Sequence, residues 1–194
     1  MVVIKINKQF RKWLSANHDK ADSCLCCVKV GKPPQDKNTF WYVDAVYTAL
    51  CYGWIDSVHK NIKGLGYTAR FSPRRKSGNF SQLNLARCRY LIRHKLMTKA
   101  GLKVIPNLDV KTFKINKEIK DLLANDKVLA KNFYSFPKLY QIVRIDNIQT
   151  QQKLFPDKHK KVLNSFITKT KQGLMYGQWN DWGRLSDKDL INPK

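Results

Sequence analysis

The residues best suited to chemistry in this chain are arginines, and most of them lie in one stretch. Six of the nine arginines fall within residues 70–93, and no Asp or Glu occurs between Asp56 and Asp109. Arginine binds the oxygens of carboxylate and phosphate groups in a planar, bidentate fashion, whereas lysine acts as a solvated point charge. A stretch without compensating acids produces a positive potential that concentrates anions. The sequence therefore predicts an anionic partner.

The candidate anion site is the segment in which a strand, a loop and a helix follow one another. Arg74 and Arg75 lie just before the predicted helix start, where unpaired backbone N–H groups and a partial positive charge favour anions. The predicted anion-binding residues are Arg70, Arg74, Arg75, Ser77, Asn79, Ser81, Asn84 and Arg87. A structural interpretation competes with this one. In it, Ser77 or Asn79 caps the helix and the arginines pair with carboxylates elsewhere in the chain.

Asp56 is the weak candidate for a catalytic group. It is the last acid before the acid-free stretch, and its predicted strand is expected to lie beside the strand that carries Arg70. It is either a base or ligand-orienting group or, in the favoured interpretation, a buried partner for one of the arginines. The chain contains no nucleophile elbow, P-loop, dinucleotide fingerprint or paired carboxylates. The sequence thus leaves enzyme activity open and predicts no cofactor.

Five cysteines are an odd number, and three of them crowd into the segment Cys24-Leu25-Cys26-Cys27. A secreted disulfide framework does not fit this spacing, and no second C-x-x-C or H-x-x-x-H motif completes a zinc site. The four histidines show no pairing by spacing either. We therefore expect reduced thiols that are buried as small hydrophobic residues in a strand, and no metal site.

The composition indicates a folded and strongly basic protein. The chain has 194 residues, with 37 Lys plus Arg against 14 Asp plus Glu, and a formal net charge of +23. Its apolar fraction of 43% is too high for a disordered basic tail. No window approaches the run of about 18 apolar residues that a membrane helix needs, and the N-terminus is apolar too briefly for a signal peptide. We therefore expect a soluble, cytoplasmic protein with a packed core.

Hydrophobic periodicity divides the chain into two units and predicts an α+β fold. The predicted helices of the first unit span residues 10–17, 41–51 and 80–96, and its predicted strands span 23–30, 54–62 and 67–72. Helices of the second unit are expected over 118–123, 126–136, 137–153 and 157–171. The first unit, 1–105, is a small mixture of strands and helices that carries the G-W-I-D and F-S-P-R-R motifs. A linker over 106–116 leads to a helical C-terminal unit over 117–194 with a tryptophan-containing tail.

Several motifs give the chain a resemblance to a known family. Residues 49–57 read A-L-C-Y-G-W-I-D-S and residues 70–75 read R-F-S-P-R-R, and further matches lie at 79–84, 97–101 (M-T-K-A-G) and 136–140 (F-P-K-L-Y). In these motifs the chain resembles the YdeI/OmpD-associated family, whose members are often labelled bacteriocin-protection proteins. The resemblance implies a link to tolerance of bacteriocins or cationic antimicrobial peptides, and to an outer-membrane porin in some members. It implies no agreed reaction, and Phe80 and the added Gly78 depart from the family pattern.

Three functions are open from the sequence. The first is a cytoplasmic binding protein that holds an anionic ligand at the arginine cluster. Because a protein of charge +23 repels cationic peptides, tolerance would act through an anionic intermediary such as nucleic acid, a phosphorylated metabolite or a lipid surface. The second is a nucleic-acid-binding protein that stacks bases on aromatic residues of the basic stretch, namely Tyr67, Phe71, Phe80 and Tyr90. The third is an enzyme on a phosphorylated or carboxylated small molecule, with Asp56 as the base.

Overall fold

A computed structural model describes residues 2–32, 39–75 and 79–193 of the chain. Within them, four strands form one mixed sheet in the N-terminal half and the C-terminal part is mostly helical, which confirms the α+β class. The chain divides into two compact units. Unit 1 comprises Met1–Asn79, Tyr90–Asn107 and Pro193–Lys194, and unit 2 comprises Phe80–Arg89 and Leu108–Asn192. The segment Phe80–Arg89 thus belongs with the helical unit although it precedes the expected linker.

The sheet of unit 1 is built around the predicted pair of long strands. Its strands are β1 (Val3–Ile4), β2 (Cys24–Cys27), β3 (Trp54–Ile62) and β4 (Gly66–Pro73). Their order is β1-β2-β4-β3, with β1 parallel to β2 and the other pairs antiparallel. Gly64 and Gly66 have positive φ in the turn between β3 and β4, a conformation that glycine adopts without steric cost. The predictions of strands over 54–62 and 67–72 are confirmed.

Two helices cover this sheet, α1 (Asn7–Asn17) and α2 (Tyr42–Cys51), and both were expected. Phe10 of α1 packs on Phe71 of β4 with ring centroids 5.1 Å apart, and Trp13 meets Trp54 of β3 edge-on at 5.5 Å. Helix α2 is buried along most of its length, as its apolar sequence requires. These contacts are part of the core of unit 1 and hold the two helices against the sheet.

Helix α3 spans Gln82–Arg93, and the four-residue helix α4 spans Lys99–Leu102. The sequence predicted a helix over 80–96 that is capped by Ser77 or Asn79. Ser81 is the cap instead, because its Oγ accepts a hydrogen bond from the backbone N–H of Asn84 at 3.3 Å. Ser77 lies outside the described residues. Ser and Asn are both good capping residues, so spacing alone could not select among several candidates so close together.

Unit 2 contains four further helices, which confirm the helical prediction. They are α5 (Lys117–Asn125), α6 (Lys127–Ser135), α7 (Lys138–Leu154) and α8 (Pro156–Lys171). Their apolar faces meet in a core where the rings of Phe133 and Phe166 pack edge-to-face, with their centroids 5.6 Å apart. The tail folds back as expected, with Trp179 packed edge-on against Tyr140 at 5.6 Å. No helix in the described residues has both the length and the apolar content to cross a membrane.

A substitution at Gly101 tests the close approach of α4 to the end of α2. A Cβ built on Gly101 would lie 2.5 Å from the backbone oxygen of Cys51 and 2.8 Å from that of Leu50. Because backbone atoms cannot easily move aside, we expect Gly101→Ala to lower the free energy of unfolding by about 2 kcal/mol in urea denaturation. The control is Gly64→Ala, where only the positive φ costs energy, about 1 kcal/mol, and the Cβ meets nothing within 4 Å. Wild-type stability in Gly101→Ala would contradict the close approach.

Candidate functional site

The predicted anion-binding residues are divided between the two units. Four of them belong to unit 1, namely Arg70, Arg74, Arg75 and Asn79. Three of them belong to unit 2, namely Ser81, Asn84 and Arg87. Ser77 lies outside the described residues. What each set can bind depends on the contacts it already makes within its own unit.

Arg87 is held by a carboxylate of unit 2. Its Nε and Nη2 each donate to one oxygen of Asp181 at 2.7 Å, and its Nη1 donates to the side-chain oxygen of Asn84 at 2.8 Å. Asp181 is only 5% exposed, so the two charges neutralise one another in a nearly dry environment. These contacts favour the structural interpretation for Arg87 and Asn84.

The start of α3 is also satisfied from within unit 2. The backbone N–H of Gln82 donates to Oδ2 of Asp146 at 2.8 Å, and Ser81 accepts from Asn84. Burial raises the pKa of Asp146 above its ordinary value, and its contact with the positive end of the helix favours the carboxylate form. Asp146 lies 64 residues from Gln82 along the chain. An external anion at this helix start would have to displace a carboxylate of the protein itself.

Arg89, a third arginine of the basic stretch, is 1% exposed and serves the backbone of unit 2. Its Nε donates to the carbonyl of Leu108 at 2.9 Å, its Nη2 donates to the same oxygen, and its Nη1 donates to the carbonyl of Asp189 at 3.4 Å. Burial lowers the pKa of Arg89, but the carbonyl oxygens satisfy its donors. The clustering of arginines along the sequence therefore does not show which of them are buried.

Arg74 borders a cavity in unit 1 and is 8% exposed. Its backbone N–H donates to the carbonyl of Gly53 at 2.9 Å, and its Nη1 donates to the carbonyl of Asn79 at 2.9 Å. The two bonds fix both the backbone and the guanidinium end of the residue. Asn79 thus contributes through its backbone carbonyl rather than as a donor to a ligand. Arg74 brings a positioned positive charge to the cavity.

This space, called the Arg74 cavity below, has a volume of about 610 Å³, the size of a small-molecule site. Its lining residues are Ser15, His18, Asp19, Tyr52, Gly53, Trp54, Pro73, Arg74, Thr98, Lys99, Ala100, Lys103 and Val104. Among these described lining residues the cations are Arg74, Lys99 and Lys103, and the acid is Asp19. An anion that enters the cavity therefore meets a net positive field.

The wall of the Arg74 cavity is fixed by hydrogen bonds and close packing. Nε1 of Trp54 donates to the carbonyl of His18 at 3.0 Å. The hydroxyl of Thr98 donates to the carbonyl of the last residue of α2. Gly53 has a φ of +74°, and a Cβ there would lie 2.7 Å from the side chain of Val104. A wall that is formed before the ligand arrives lowers the entropic cost of binding.

Lys99 and Lys103 were not singled out by sequence reasoning as site residues. Both lie in the acid-free stretch, but the helix that Lys99 begins, α4, was not predicted. A signal was present in residues 97–101, M-T-K-A-G, because threonine is a good helix cap. Thr98 indeed caps α4, since its side chain accepts from the N–H of Gly101. Lysines four residues apart share one face of a helix, so this pair could have been recognised as a local positive patch.

Arg70 and Arg75 are exposed, and neither lines the Arg74 cavity. Nη2 of Arg70 donates to the hydroxyl of Ser23 at 3.1 Å. Charges exposed to water interact weakly with single partners. Anion binding by these two arginines, which would take place at the surface of unit 1, stays a prediction.

Asp56 has no arginine partner among the described residues, so the favoured interpretation of Asp56 is wrong. Its Oδ2 accepts from the hydroxyl of Tyr42 at 2.8 Å and lies 3.1 Å from Nε2 of His59, whose Nδ1 lies 3.1 Å from the hydroxyl of Tyr67. Asp56 lies opposite Phe71 of β4, and a register shift in β3 between Asp56 and His59 brings these two residues, three apart, to the same face of the strand. The row of groups has the form of an acid–base relay. Asp56 does not line the Arg74 cavity, and its role as a base stays a prediction.

Three of the four cysteines of unit 1 are small buried residues, as predicted, and Cys27 is partly exposed. Cys24 and Cys26 are fully buried in β2, and Cys51 is buried at the end of α2. Hydrogen bonding with Cys24, followed by burial, raises the pKa of Cys26, and burial raises the pKa of Cys51. Both thiols therefore stay protonated and unreactive at neutral pH. Across 2–32, 39–75 and 79–193, no group of His, Cys, Asp or Glu could hold a metal ion.

Comparison with known families gives one match. The family described as a domain of unknown function (DUF8412) matches residues 2–104. No curated protein and no solved structure matches the chain. The matched range includes every residue that lines the Arg74 cavity, from Ser15 to Val104, and it ends before α5. The cavity thus lies in the part of the chain that the family description covers.

The Arg87–Asp181 pair provides a stability test. Arg87→Met leaves Asp181 buried without its partner, and we expect the free energy of unfolding to fall by about 3–5 kcal/mol. The double variant Arg87→Met, Asp181→Asn removes both charges and keeps a residue type that tolerates the left-handed backbone at this position (φ 49°), so most of this loss should disappear. Urea denaturation measures both effects. A double variant as unstable as Arg87→Met alone would contradict the assignment of a buried, mutually neutralising pair.

Asp146 provides a test of pH dependence. Because its pKa is raised in the folded state, the folded protein binds this proton more tightly than the unfolded chain. The resulting stability is complete below the pKa of an unfolded aspartate, about 3.9, and is lost as the pH rises through the higher folded value. We expect Asp146→Asn, which cannot ionise but keeps an acceptor oxygen, to remove this part of the pH dependence. Parallel stability curves for wild type and variant in acid would show that the pKa is not raised.

Proposed function

The chain belongs to the DUF8412 family, whose description assigns no activity, and we propose that unit 1 binds a small anion with phosphate or carboxylate groups in the Arg74 cavity. The observation that carries this proposal is the charge of the cavity wall, whose described lining residues include three cations, Arg74, Lys99 and Lys103, and one acid, Asp19. Like charges held near one another repel, and a bound anion relieves that repulsion. The volume of about 610 Å³ suits a ligand of small-metabolite size.

The three cations contribute in different ways. Arg74 is buried and its guanidinium donates to the carbonyl of Asn79, so it offers a planar charge in a fixed orientation. Lys99 and Lys103 are exposed at the two ends of α4, and their flexible side chains can adjust to the ligand. Tyr52 adds an aromatic face to the same wall, which suits an organic anion with an apolar part.

The motifs behind the resemblance to the YdeI/OmpD-associated family support the same location. Gly53 and Trp54 of G-W-I-D, Arg74 of F-S-P-R-R and Ala100 of M-T-K-A-G all line the Arg74 cavity. Through the resemblance, the proposal extends to tolerance of bacteriocins or cationic antimicrobial peptides, with the bound anion as intermediary because a chain of charge +23 repels such peptides. A cytoplasmic location is part of the proposal, since reduced thiols such as that of Cys26 suit a reducing compartment.

A nucleic-acid-binding surface is the second candidate, and the β3–β4 hairpin favours it. Lys60, Lys63 and Arg70 are exposed there, and the ring of Tyr67 is partly exposed, which is the combination that binds single strands. Phe71, also expected as a stacking residue, is fully buried in the core and cannot stack on a base. None of the hairpin cations lines the Arg74 cavity, so the two candidates make different predictions.

Two charge-matched double variants separate the candidates. Lys99→Glu, Lys103→Glu changes the Arg74 cavity, and Lys60→Glu, Lys63→Glu changes the hairpin by the same net charge at exposed positions. In a titration with pyrophosphate, followed by the amide NMR signal of Gly53, we expect the cavity variant to bind about tenfold more weakly or worse. The hairpin variant should bind like wild type. Equal weakening in both variants, or no saturable shift in wild type, would contradict a site in the cavity.

The second candidate is tested with labelled single-stranded and duplex DNA in fluorescence anisotropy. If the hairpin binds nucleic acid, affinity should fall with salt at a log–log slope of about −0.9 per neutralised phosphate of duplex. The slope should be smaller in magnitude for Lys60→Glu, Lys63→Glu than for Lys99→Glu, Lys103→Glu. Absence of binding even at low salt would eliminate a nucleic-acid partner.

A further inference from the structure

Unit 2 contains a cavity of its own, with a volume of about 550 Å³, formed by α7, α8 and the segment that follows α8. Its polar lining combines side chains of three kinds: cations, neutral amides and hydroxyls. The members that matter are Arg144, Asn147, Gln151, Lys161, Ser165 and Tyr176. None of the described residues that line it is an Asp or Glu, so this lining is both positive and polar.

Arg144 makes this cavity different from a solvated surface depression. It is 7% exposed, yet no Asp or Glu in the described part of the chain forms an ion pair with it. Its Nη2 donates to the carbonyl of Tyr176, whereas its Nε is buried and finds no acceptor among these residues. The donors of Arg87 and Arg89 are met by a carboxylate or by carbonyls. A buried cation that lacks an ion-pair partner and has a buried donor without an acceptor is costly.

Two tyrosine rings hold the guanidinium but do not neutralise it. Cζ of Arg144 lies 4.0 Å from the ring centroid of Tyr176 and 5.4 Å from that of Tyr140. Nζ of Lys169 lies 4.7 Å from the Tyr176 ring, so a second cation shares that ring. Cation–π contacts fix where the charges lie and leave the local charge positive. Burial also raises the pKa of Tyr176, so its hydroxyl keeps its proton at neutral pH.

We propose that this cavity is a second anion-binding site, which takes a small molecule bearing a phosphate or carboxylate group. The guanidinium of Arg144 binds the anionic oxygens in the planar manner that both groups allow. Lys161 is exposed at the cavity and adds attraction from the rim, and Asn147 and Ser165 offer neutral hydrogen bonds. This site uses other residues in the other unit, so it does not depend on the Arg74 cavity.

The test uses NMR of the ¹⁵N-labelled full chain, with the Nε–Hε signal of Arg144 as the reporter. Arg144→Lys assigns the signal by its loss. Pyrophosphate and citrate are titrated separately, and we expect at least one of them to shift the Arg144 signal and the Tyr176 amide in a saturable manner. Lys161→Glu should weaken that binding about tenfold. Lys158→Glu, the same charge change on α8 at a residue outside the cavity lining, should leave it unchanged.

The two probes also identify the chemistry. A response to pyrophosphate alone supports a phosphate ligand, a response to citrate alone supports a carboxylate ligand, and both responses support a site that reads the shared anionic oxygens. If neither anion moves the Arg144 signal, or if Lys158→Glu and Lys161→Glu weaken the response equally, the proposal is overturned. The comparison of these two surface variants decides the matter even where Arg144→Lys fails to fold. The variant Lys99→Glu, Lys103→Glu should keep the response, because it alters only unit 1.

Discussion

Carboxylates are the scarce component of this protein, and its organisation depends on where they are used. The chain has only 14 acids and 37 lysines plus arginines. Each acid that is bound within the fold therefore leaves positive charge without a compensating acid elsewhere. In unit 2, Asp126, Asp146 and Asp187 accept from backbone N–H groups at the starts of α6, α3 and α7, and Asp181 holds Arg87. Unmet donors at a helix start are costly when buried. These acids therefore stabilise the fold and do not compensate the remaining positive charge.

The same scarcity explains why positive charge remains at two cavities. Among the residues that the structure describes, three cations and one acid, Asp19, line the Arg74 cavity of unit 1, and no acid lines the cavity of Arg144 in unit 2. Arginine density by itself does not identify a site, because Arg87 and Arg89 lie in the densest stretch and serve the fold. The arginines proposed to bind anions, Arg74 and Arg144, differ from these two in lining a cavity whose described residues carry a net positive charge.

Most of the fold could be predicted from the sequence because helix and strand periodicities are local properties, as the long elements β3, β4 and α5–α8 illustrate. The site depends on properties that are not local. A bulge between Asp56 and His59 breaks the alternation and gives Asp56 a partner that no spacing indicated. Asp146 and Asp181 reach α3 from 64 and 94 residues away. Lys99 reaches the cavity wall only through the close approach of α4 to α2.

Anion binding in the Arg74 cavity can be tested directly with a crystal structure of the full chain grown with tungstate, a phosphate mimic whose metal scatters anomalously. Tungstate has no apolar part, so its position depends on charge and hydrogen bonding alone. We expect an anomalous peak inside the Arg74 cavity, within hydrogen-bond distance of Arg74 and at least one of Lys99 and Lys103. Tungstate ordered only on exposed lysines of the β3–β4 hairpin, such as Lys60 and Lys63, with an empty Arg74 cavity, would contradict it.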